Sequence, residues 1–271
     1  MIKVIVAGGS GRMGQRICAM VDKHPSLTLA GVFEHPDNPA VGRDAGEVCG
    51  LGGKRGLTIA GSLESIIDQG DVIIDFTFHK ATMEFVQVAA THKTAMVIGT
   101  TGLTADNLSI IRALATDNFP CVQAPNMAVG VNVLFKLAEK TAAILGDEYD
   151  VEIVEAHHRM KKDAPSGTAL KLGEMAAQGL KRDLAEVGVY ERHGMIGERT
   201  AKEIGIQTIR GGDIVGEHTV YYAGPGERIE ITHRAHSRDN FAQGAAKAAA
   251  WVVGKNDGMY SMFDVLGLAD F

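Results

Sequence analysis

The sequence predicts a two-domain α/β protein: a doubly wound parallel sheet, and a second α+β domain built on an open mixed sheet. Three observations carry this. Short apolar runs alternate with helical patterns through the first half, as parallel strands joined by crossover helices do. A glycine turn separates the first run from the first helix. After about residue 132 strands follow strands, the texture of a mixed sheet with one helical face.

Ile2–Ala7 (IKVIVA) is a continuous apolar run ending in glycines, as a strand buried on both faces requires. Helical periodicity follows to about Lys23, and Pro25 stops it. Residues 27–33 (LTLAGVF) form the second strand, with Glu34 at its end. A short strand is expected at 56–60 and a short helix, capped by Ser62, up to Gln69. Residues 71–76 (DVIIDF) read as strand, 80–91 as helix and 96–98 as strand. Thr104 is placed to cap a helix to about 116, and 119–123 is the sixth strand. In the second domain a helix at 133–144 precedes 149–156 (YDVEIVEA), whose alternation of apolar and acidic residues suits a half-exposed strand. A helix at 167–180 and strands at 204–210, 214–223 and 228–234 complete it. The last helix, 240–253, is alanine-rich and suited to packing back on the first domain. The expected division is 1–127 with 239–271 for the first domain and 128–238 for the second.

Composition narrows the function classes. The 271 residues, 45% hydrophobic and 22% charged, are those of an ordinary globular protein. Lys+Arg 27 against Asp+Glu 33 gives a net charge of −6, which argues against nucleic-acid or membrane-surface binding. Cys18, Cys49 and Cys121 lie far apart and form no CxxC, so reduced cytoplasmic thiols are expected. No signal-peptide pattern and no apolar run near 20 residues is read from the sequence, and no metal-ligand spacing such as HExxH occurs.

The glycine turn is the first chemical motif. Gly9, Gly11 and Gly14 satisfy GxGxxG, and Gly8, Gly11 and Gly14 satisfy GxxGxxG. Ser10, Arg12 and Met13 fill the intervening positions, and Glu34 falls twenty residues after Gly14. Glycines let the backbone approach a pyrophosphate resting on the helix N-terminus, and the acid accepts hydrogen bonds from ribose hydroxyls. Strand, turn, helix, strand and acid in register predict a Rossmann-type dinucleotide site. Ligands of such sheets sit beyond the strand C-termini. Phe76 and Thr77, then Gly99, Thr100 and Thr101, then Ala124, Pro125, Asn126 and Met127 all fall there and are expected to line the cofactor.

The second motif is HHRMKKDAPSGT, residues 157–168. Positive charge this dense in an acidic protein suits a small anion with a proton donor beside it. Gly167 and Thr168 open a helix, so their N–H groups and the Thr168 hydroxyl can hold a carboxylate. His158 and Lys161 can supply charge. Adjacent histidines on extended backbone face opposite ways, so only one of His157 and His158 is expected to point squarely into a site. Lys162 reads as a solvated charge, Arg159 as a loop brace and Asp163 as a fixer of the basic loop.

EAHHRMKKDAPSGTA, residues 155–169, resembles the signature segment of the 4-hydroxy-tetrahydrodipicolinate (dihydrodipicolinate) reductase family. GGSGRMG at 8–14, IDFT at 74–77, VIGTTG at 97–102, NMAVGVN at 126–132 and GDIVGEHT at 212–219 resemble it in the same order. The resemblance implies a Rossmann domain, a mixed-sheet substrate domain that joins a homotetramer, and a C-terminal return to the first domain. It implies NADH- or NADPH-dependent reduction of a cyclic unsaturated dicarboxylate in the diaminopimelate route to lysine, in the cytoplasm. His157 would be the acid/base residue and Lys161 a proton donor; sequence does not rank them. Ser166, Gly167, Thr168 and His158 would hold the substrate. Arg238 would either orient substrate or brace the return of the chain. The family often places arginine after the strand-end acid, whereas this chain has His35, so NADH is expected to serve at least as well as NADPH. Arg43, Lys54 and Arg55 are further basic residues in a loop of unknown reach. Two other readings stand beside this one: a different NAD(P)-dependent dehydrogenase, and a non-catalytic nucleotide sensor.

Overall fold

The computed structural model describes residues 1–271. Its contacts define two units, Met1–Val129 with Arg238–Asp270, and Gly130–Ser237.

In the first unit β1 (Ile2–Ala7) is apolar on both faces and takes an interior place, next to the edge strand, in a parallel sheet. It pairs with β2 (Leu27–Phe33) on one side and β3 (Val72–Asp75) on the other. Beyond β3 lie β4 (Ala95–Ile98), β5 (Pro120–Gln123) and β11 (Gly258–Tyr260), giving the order β11-β5-β4-β3-β1-β2. The chain moves outward one way from β1 to β2 and the other way from β3, so the ends of β1 and β3 frame the switch point where such sheets bind ligands. Helices α1 (Arg12–Lys23), α3 (His79–His92) and α4 (Ala105–Asn118) are the crossovers. Thr104 caps α4 as expected: its hydroxyl accepts from Asn107 N, and the Asn107 side chain accepts from Thr104 N.

Two expected elements are absent. Residues 56–60 form only isolated bridges, Asp44 with Thr58 and Phe33 with Ala60. The Asp44 carboxylate accepts from the backbone N–H groups of Gly46, Arg55 and Gly56. A side chain therefore fixes this loop where a strand ladder was expected, and the same aspartate caps α2 (Ala45–Val48). Of residues 62–69 only Ile67–Gln69 is helical, as a single 3₁₀ turn. The expected strand at 119–123 is β5, and the sheet is completed by β11, which was not expected: it is three residues long and begun by a glycine at φ 145, too short for an alternation to register. Helix α8 (Asp239–Val252) buries Ala242, Ala245, Ala246, Ala248 and Ala249 in the core shared with α1. A short α9 (Met262–Leu266) follows.

The second unit is a five-stranded sheet of order β10-β9-β6-β8-β7. Its strands are β6 (Asp150–His157), β7 (Gly188–Val189), β8 (Ile204–Arg210), β9 (Glu217–Gly224) and β10 (Glu227–Arg234). β6 runs parallel to β8 and antiparallel to β9, so the sheet is mixed. Val151 and Ile153 of β6, Ile204 and Ile206 of β8, and Val220 and Tyr222 of β9 are buried. Helices α5 (Val129–Leu145) and α6 (Gly167–Gly179) contribute to the same core, and the Tyr222 hydroxyl donates to Ala138 O at 2.7 Å. The short α7 (Leu184–Val187) precedes β7. β10 is largely exposed. No helix is long and apolar enough to cross a membrane.

Candidate active site

The turn after β1 is built for close approach. Gly8 sits at φ 65, a left-handed conformation that favours glycine, and its N–H donates to Phe33 O at the end of β2. A Cβ on Gly14 would lie 2.0 Å from Gly8 O, so helix and strand meet at a distance only glycine permits. Helix α1 starts at Arg12 behind Gly11, with no acid in its first turn. Its N-terminal N–H groups therefore suit a pyrophosphate. Met13 is half-buried against the core. Arg12 is exposed.

Glu34 stands at the tip of β2. Its Oε1 accepts from Ser10 N (2.7 Å) and Ser10 Oγ (2.6 Å), and its Oε2 accepts from Asn38 Nδ2 (3.1 Å). Ser10 thus ties the glycine turn to the acid, a role the motif alone does not reveal. A carboxylate offers about four lone-pair positions, which leaves Oε2 able to take a ribose hydroxyl. His35 Nδ1 lies 3.6 Å from Asp37 Oδ2. Arg55 is committed elsewhere: its guanidinium binds Asp22 at 3.1 and 3.0 Å and Leu51 O at 2.8 Å. Lys54 lies 3.9 Å from Glu47.

Further along the same sheet edge, Asp75 is fully buried and accepts from Thr77 N (3.0 Å), Thr77 Oγ1 (2.6 Å) and Thr82 Oγ1 (2.5 Å). Burial pushes its carboxyl up, against the pull of those hydrogen bonds. Thr77 N also donates to Thr100 Oγ1 at 3.0 Å, so the expected lining residues after β3 and β4 are joined. The ring of Phe76 lies against Gly99, where a Cβ would come within 2.2 Å of it. Thr101 and Pro125 are exposed, and the Asn126 carbonyl oxygen of the side chain accepts from Ala128 N at 2.9 Å. Met127 and Ala124 are buried members of the core, where their side chains serve packing.

In the second unit, strand alternation builds the site. Glu155 and His157 continue the inward row of β6 begun by Val151 and Ile153. Thr208 and Arg210 continue that of β8, and His218 begins that of β9. The register sets Glu155 opposite both Thr208 and His218, and His157 opposite Arg210. One end of an apolar face thus becomes a polar cluster. The fully buried Glu155 carboxylate accepts from Arg210 NH1 and NH2 (both 2.8 Å), Ser166 N (3.0 Å) and Thr208 Oγ1 (3.2 Å). His157 Nδ1 lies 2.6 Å from Glu155 Oε2. Burial opposes ionisation of Glu155, but hydrogen bonds from His157, Arg210 and Ser166 N outweigh it and hold the carboxyl well below its usual range. His218 Nε2 lies 3.1 Å from Ser166 Oγ, and its ring packs edge-on to that of His157 with centroids 5.1 Å apart. Burial first, then the neighbouring His157, pushes the His218 imidazole down to about 3, so it is neutral.

The basic loop leaves β6 and returns at α6. Lys161 Nζ pairs with Asp163 at 2.9 Å, and Arg210 donates to Asp163 O at 2.7 Å. Asp163 thereby fixes the loop. Arg159 contributes a backbone bond, its N–H donating to Gly212 O at 3.2 Å. Ser166 is the N-cap of α6: its Oγ accepts from Ala169 N at 3.1 Å, and Gly167 and Thr168 form the first helical positions. Ser166, expected among the substrate contacts, is buried and engaged by this cap and by His218. His158 lies just past β6 with Nδ1 buried and unpartnered. Arg238, expected in the second domain, is the N-cap residue of α8 in the first unit. Sequence reasoning passed over Glu155, Arg210 and His218. The available signal was a charged or polar residue at a position that strand alternation assigns to the apolar row.

A glycine cradle at a helix head, tied to an acid at the next strand tip, is the arrangement of proteins that bind a nicotinamide dinucleotide; the second unit of the same chain carries a buried imidazole–carboxylate pair, which suits a two-domain NAD(P)H-dependent oxidoreductase. Comparison with known proteins narrows the class. The sequence pattern of the dihydrodipicolinate reductase N-terminus matches residues 2–127 and that of its C-terminus residues 130–266. The chain is 67% identical over 270 residues to the 4-hydroxy-tetrahydrodipicolinate reductase of Desulfotalea psychrophila, covering 100% of both chains. It is 58% identical to that of Syntrophus aciditrophicus, over 98% of this chain and 99% of the other. Among solved structures, the dipicolinate-bound dihydrodipicolinate reductase of Paenisporosarcina sp. TG-14 matches with a TM-score of 0.78 and 27% identity, over 97% of this chain and 98% of that one. An amine dehydrogenase of Mycobacterium smegmatis, 14% identical with a TM-score of 0.58 over 96% and 95% of the two chains, shares the fold alone. The chain belongs to the dihydrodipicolinate reductase family. It is an NAD(P)H-dependent oxidoreductase, which sets aside the nucleotide-sensor reading.

Proposed function

We propose that the chain reduces 4-hydroxy-tetrahydrodipicolinate, by way of dihydrodipicolinate, to tetrahydrodipicolinate in the diaminopimelate route to lysine. The observation that carries the residue-level reading is that a single segment, from the end of β6 to the head of α6, contains His157, Lys161, Gly167 and Thr168. The close relatives named as reductases and the dipicolinate-bound neighbour support the substrate class.

The nicotinamide cofactor, when bound, supplies the hydride. The residues fit such a group: Gly8, Gly9, Gly11 and Gly14 with the head of α1 would hold the pyrophosphate and Glu34 a ribose. The loops after β3, β4 and β5 would border it. A dicarboxylate requires two positive positions. The N–H groups of Gly167 and Thr168 with the Thr168 hydroxyl serve one carboxylate, and His158 and Lys161 serve the other. Hydride addition to the conjugated C=C–C=N system leaves a carbon that must gain a proton. His157 or Lys161 gives that proton, and water has already left from the 4-position. Arg238 is kept as a candidate for orienting substrate. The reading includes a cytoplasmic homotetramer joined through the second sheet; Ile209 and Ile229, exposed on that sheet, support it.

Oxidation of NADH or NADPH, followed at 340 nm with freshly generated substrate, tests the activity. Turnover without substrate, or none with it, would overturn the proposal. Light scattering at micromolar concentration tests the tetramer.

A further inference from the structure

We infer that Glu155, clamped by Arg210, is a positioning residue that keeps the proton of His157 on Nδ1 and leaves Nε2 as the nitrogen that exchanges protons with substrate. The inference rests on the reading of His157 as an acid and adds the means by which the fold controls it.

The argument begins with hydrogen-bond capacity. Arg210 places both terminal nitrogens on the Glu155 carboxylate at 2.8 Å. A fork-shaped guanidinium on a carboxylate is the arrangement that keeps it ionised. An ionised carboxylate only accepts. A neutral imidazole presents one donor and one acceptor, and the 2.6 Å contact between Nδ1 and Oε2 is repulsive unless Nδ1 bears the hydrogen. The same holds for the imidazolium, which carries hydrogen on both nitrogens. Nδ1–H therefore persists in both charge states, and the change of state happens at Nε2.

The surroundings of Nε2 agree. A Cβ built on Gly216, the residue before β9, would lie 3.1 Å from Nε2. That end of the ring faces a backbone with no side chain over it. The charged and titratable neighbours of the ring are Glu155 on its own strand, Arg210 on β8 and His218 on β9. Arg210 offsets the charge of Glu155, and His218 is neutral. The carboxylate selects the tautomer and the ring orientation of His157. In the proton-transfer step the Nε2–H bond breaks as the substrate carbon gains its hydrogen. Imidazolium becomes neutral imidazole with Nδ1–H retained, and the electron pair left on the carbon by hydride addition forms the new C–H bond.

Glu155 also holds Ser166 N, so a purely structural role, bracing the head of α6, is the rival. The two roles separate in Glu155→Gln. An amide can turn its NH₂ toward Nδ1, which then accepts, and the hydrogen moves to Nε2. The analogous change in the serine-protease triad is a worked case in which geometry survives and rate does not. The expected result is a fall in kcat of about 10²-fold with KM for the dicarboxylate and the Kd of NADH within about twofold. Side-chain nitrogen spectra of [¹⁵N]histidine-labelled full-length protein supply the direct readout: wild-type His157 should show Nδ1–H and the variant Nε2–H, with His157→Asn assigning the signals. Neutral wild-type His157 protonated at Nε2 overturns the inference with no mutation needed, so a Glu155→Gln that fails to fold does not protect it. A variant with raised KM and unchanged kcat assigns Glu155 to α6 and also overturns it. Adding Glu155→Gln to His157→Ala should slow turnover no further; a further fall beyond threefold counts against action through His157. Near-normal turnover in His157→Ala alone would instead remove the reading of His157 as an acid, a separate failure.

Discussion

His218→Gln should flatten the acid side of the stability profile. His218 is 4% exposed, and burial holds its imidazole at about 3 in the fold. In the unfolded chain an imidazole titrates near 6.5. Its folded value is depressed, so the unfolded state binds more protons below about 6.5, and stability falls as pH drops. The contribution is fully present above the unfolded value and is lost progressively toward the folded one. From pH 7 to pH 5 this one group removes about 2 kcal/mol from the unfolding free energy by linkage. That figure is insensitive to the folded value, provided it lies below about 4. The window also isolates His218 from Glu155: the carboxyl, likewise depressed, costs stability only near and below about 4.3, the unfolded value for Glu. The other nine histidines are common to both proteins and cancel in the comparison. Urea unfolding at fixed protein concentration, at pH 7 and pH 5, gives the two differences. Wild type should lose about 2 kcal/mol more than His218→Gln between those pH values. Equal losses would refute the argument that this imidazole is neutral because it is buried.

Three further outcomes are expected. Lys161→Ala and His157→Ala should each lower kcat by about 10²–10⁴-fold with little change in NADH affinity; near-normal steady-state turnover in both would remove them from proton delivery. Thr168→Val should raise KM for the dicarboxylate about tenfold, the loss of one hydrogen bond to a charged group, and a change confined to KM for NADH would assign the α6 turn to the cofactor. His35→Arg should raise kcat/KM for NADPH relative to NADH at every pH, because a guanidinium replaces an imidazole that has Asp37 within 3.6 Å. Wild-type kcat/KM for NADPH more than tenfold above NADH at pH 7.5 would show that Glu34 does not govern the choice.

How much of this was legible in the sequence depended on the range of the interactions. The turn at 8–14, the acid at 34 and the cap at Thr104 were readable because each is completed within a few residues or one strand–helix–strand unit. Residues 56–60 misled because apolar residues between glycines resemble a strand. What fixes them is Asp44, a side chain whose bonds to Gly46, Arg55 and Gly56 appear in no periodicity. The site in the second unit lies between these cases. YDVEIVEAH announces its inward row: Val151, Ile153, Glu155 and His157 share one parity, so an acid at 155 stands where an apolar residue is due. A buried carboxylate requires partners, and periodicity does not name them. Ser166 N and the His157 ring are near in sequence, but the Arg210 clamp and the His218 ring come from β8 and β9, more than 50 residues away, and only the order β9-β6-β8 brings them to either side. The histidines were therefore visible as chemistry, while their control depended on sheet order. A polar residue that breaks an apolar row is the local trace of a long-range network, and it marks where to look for the residue that orients the acid.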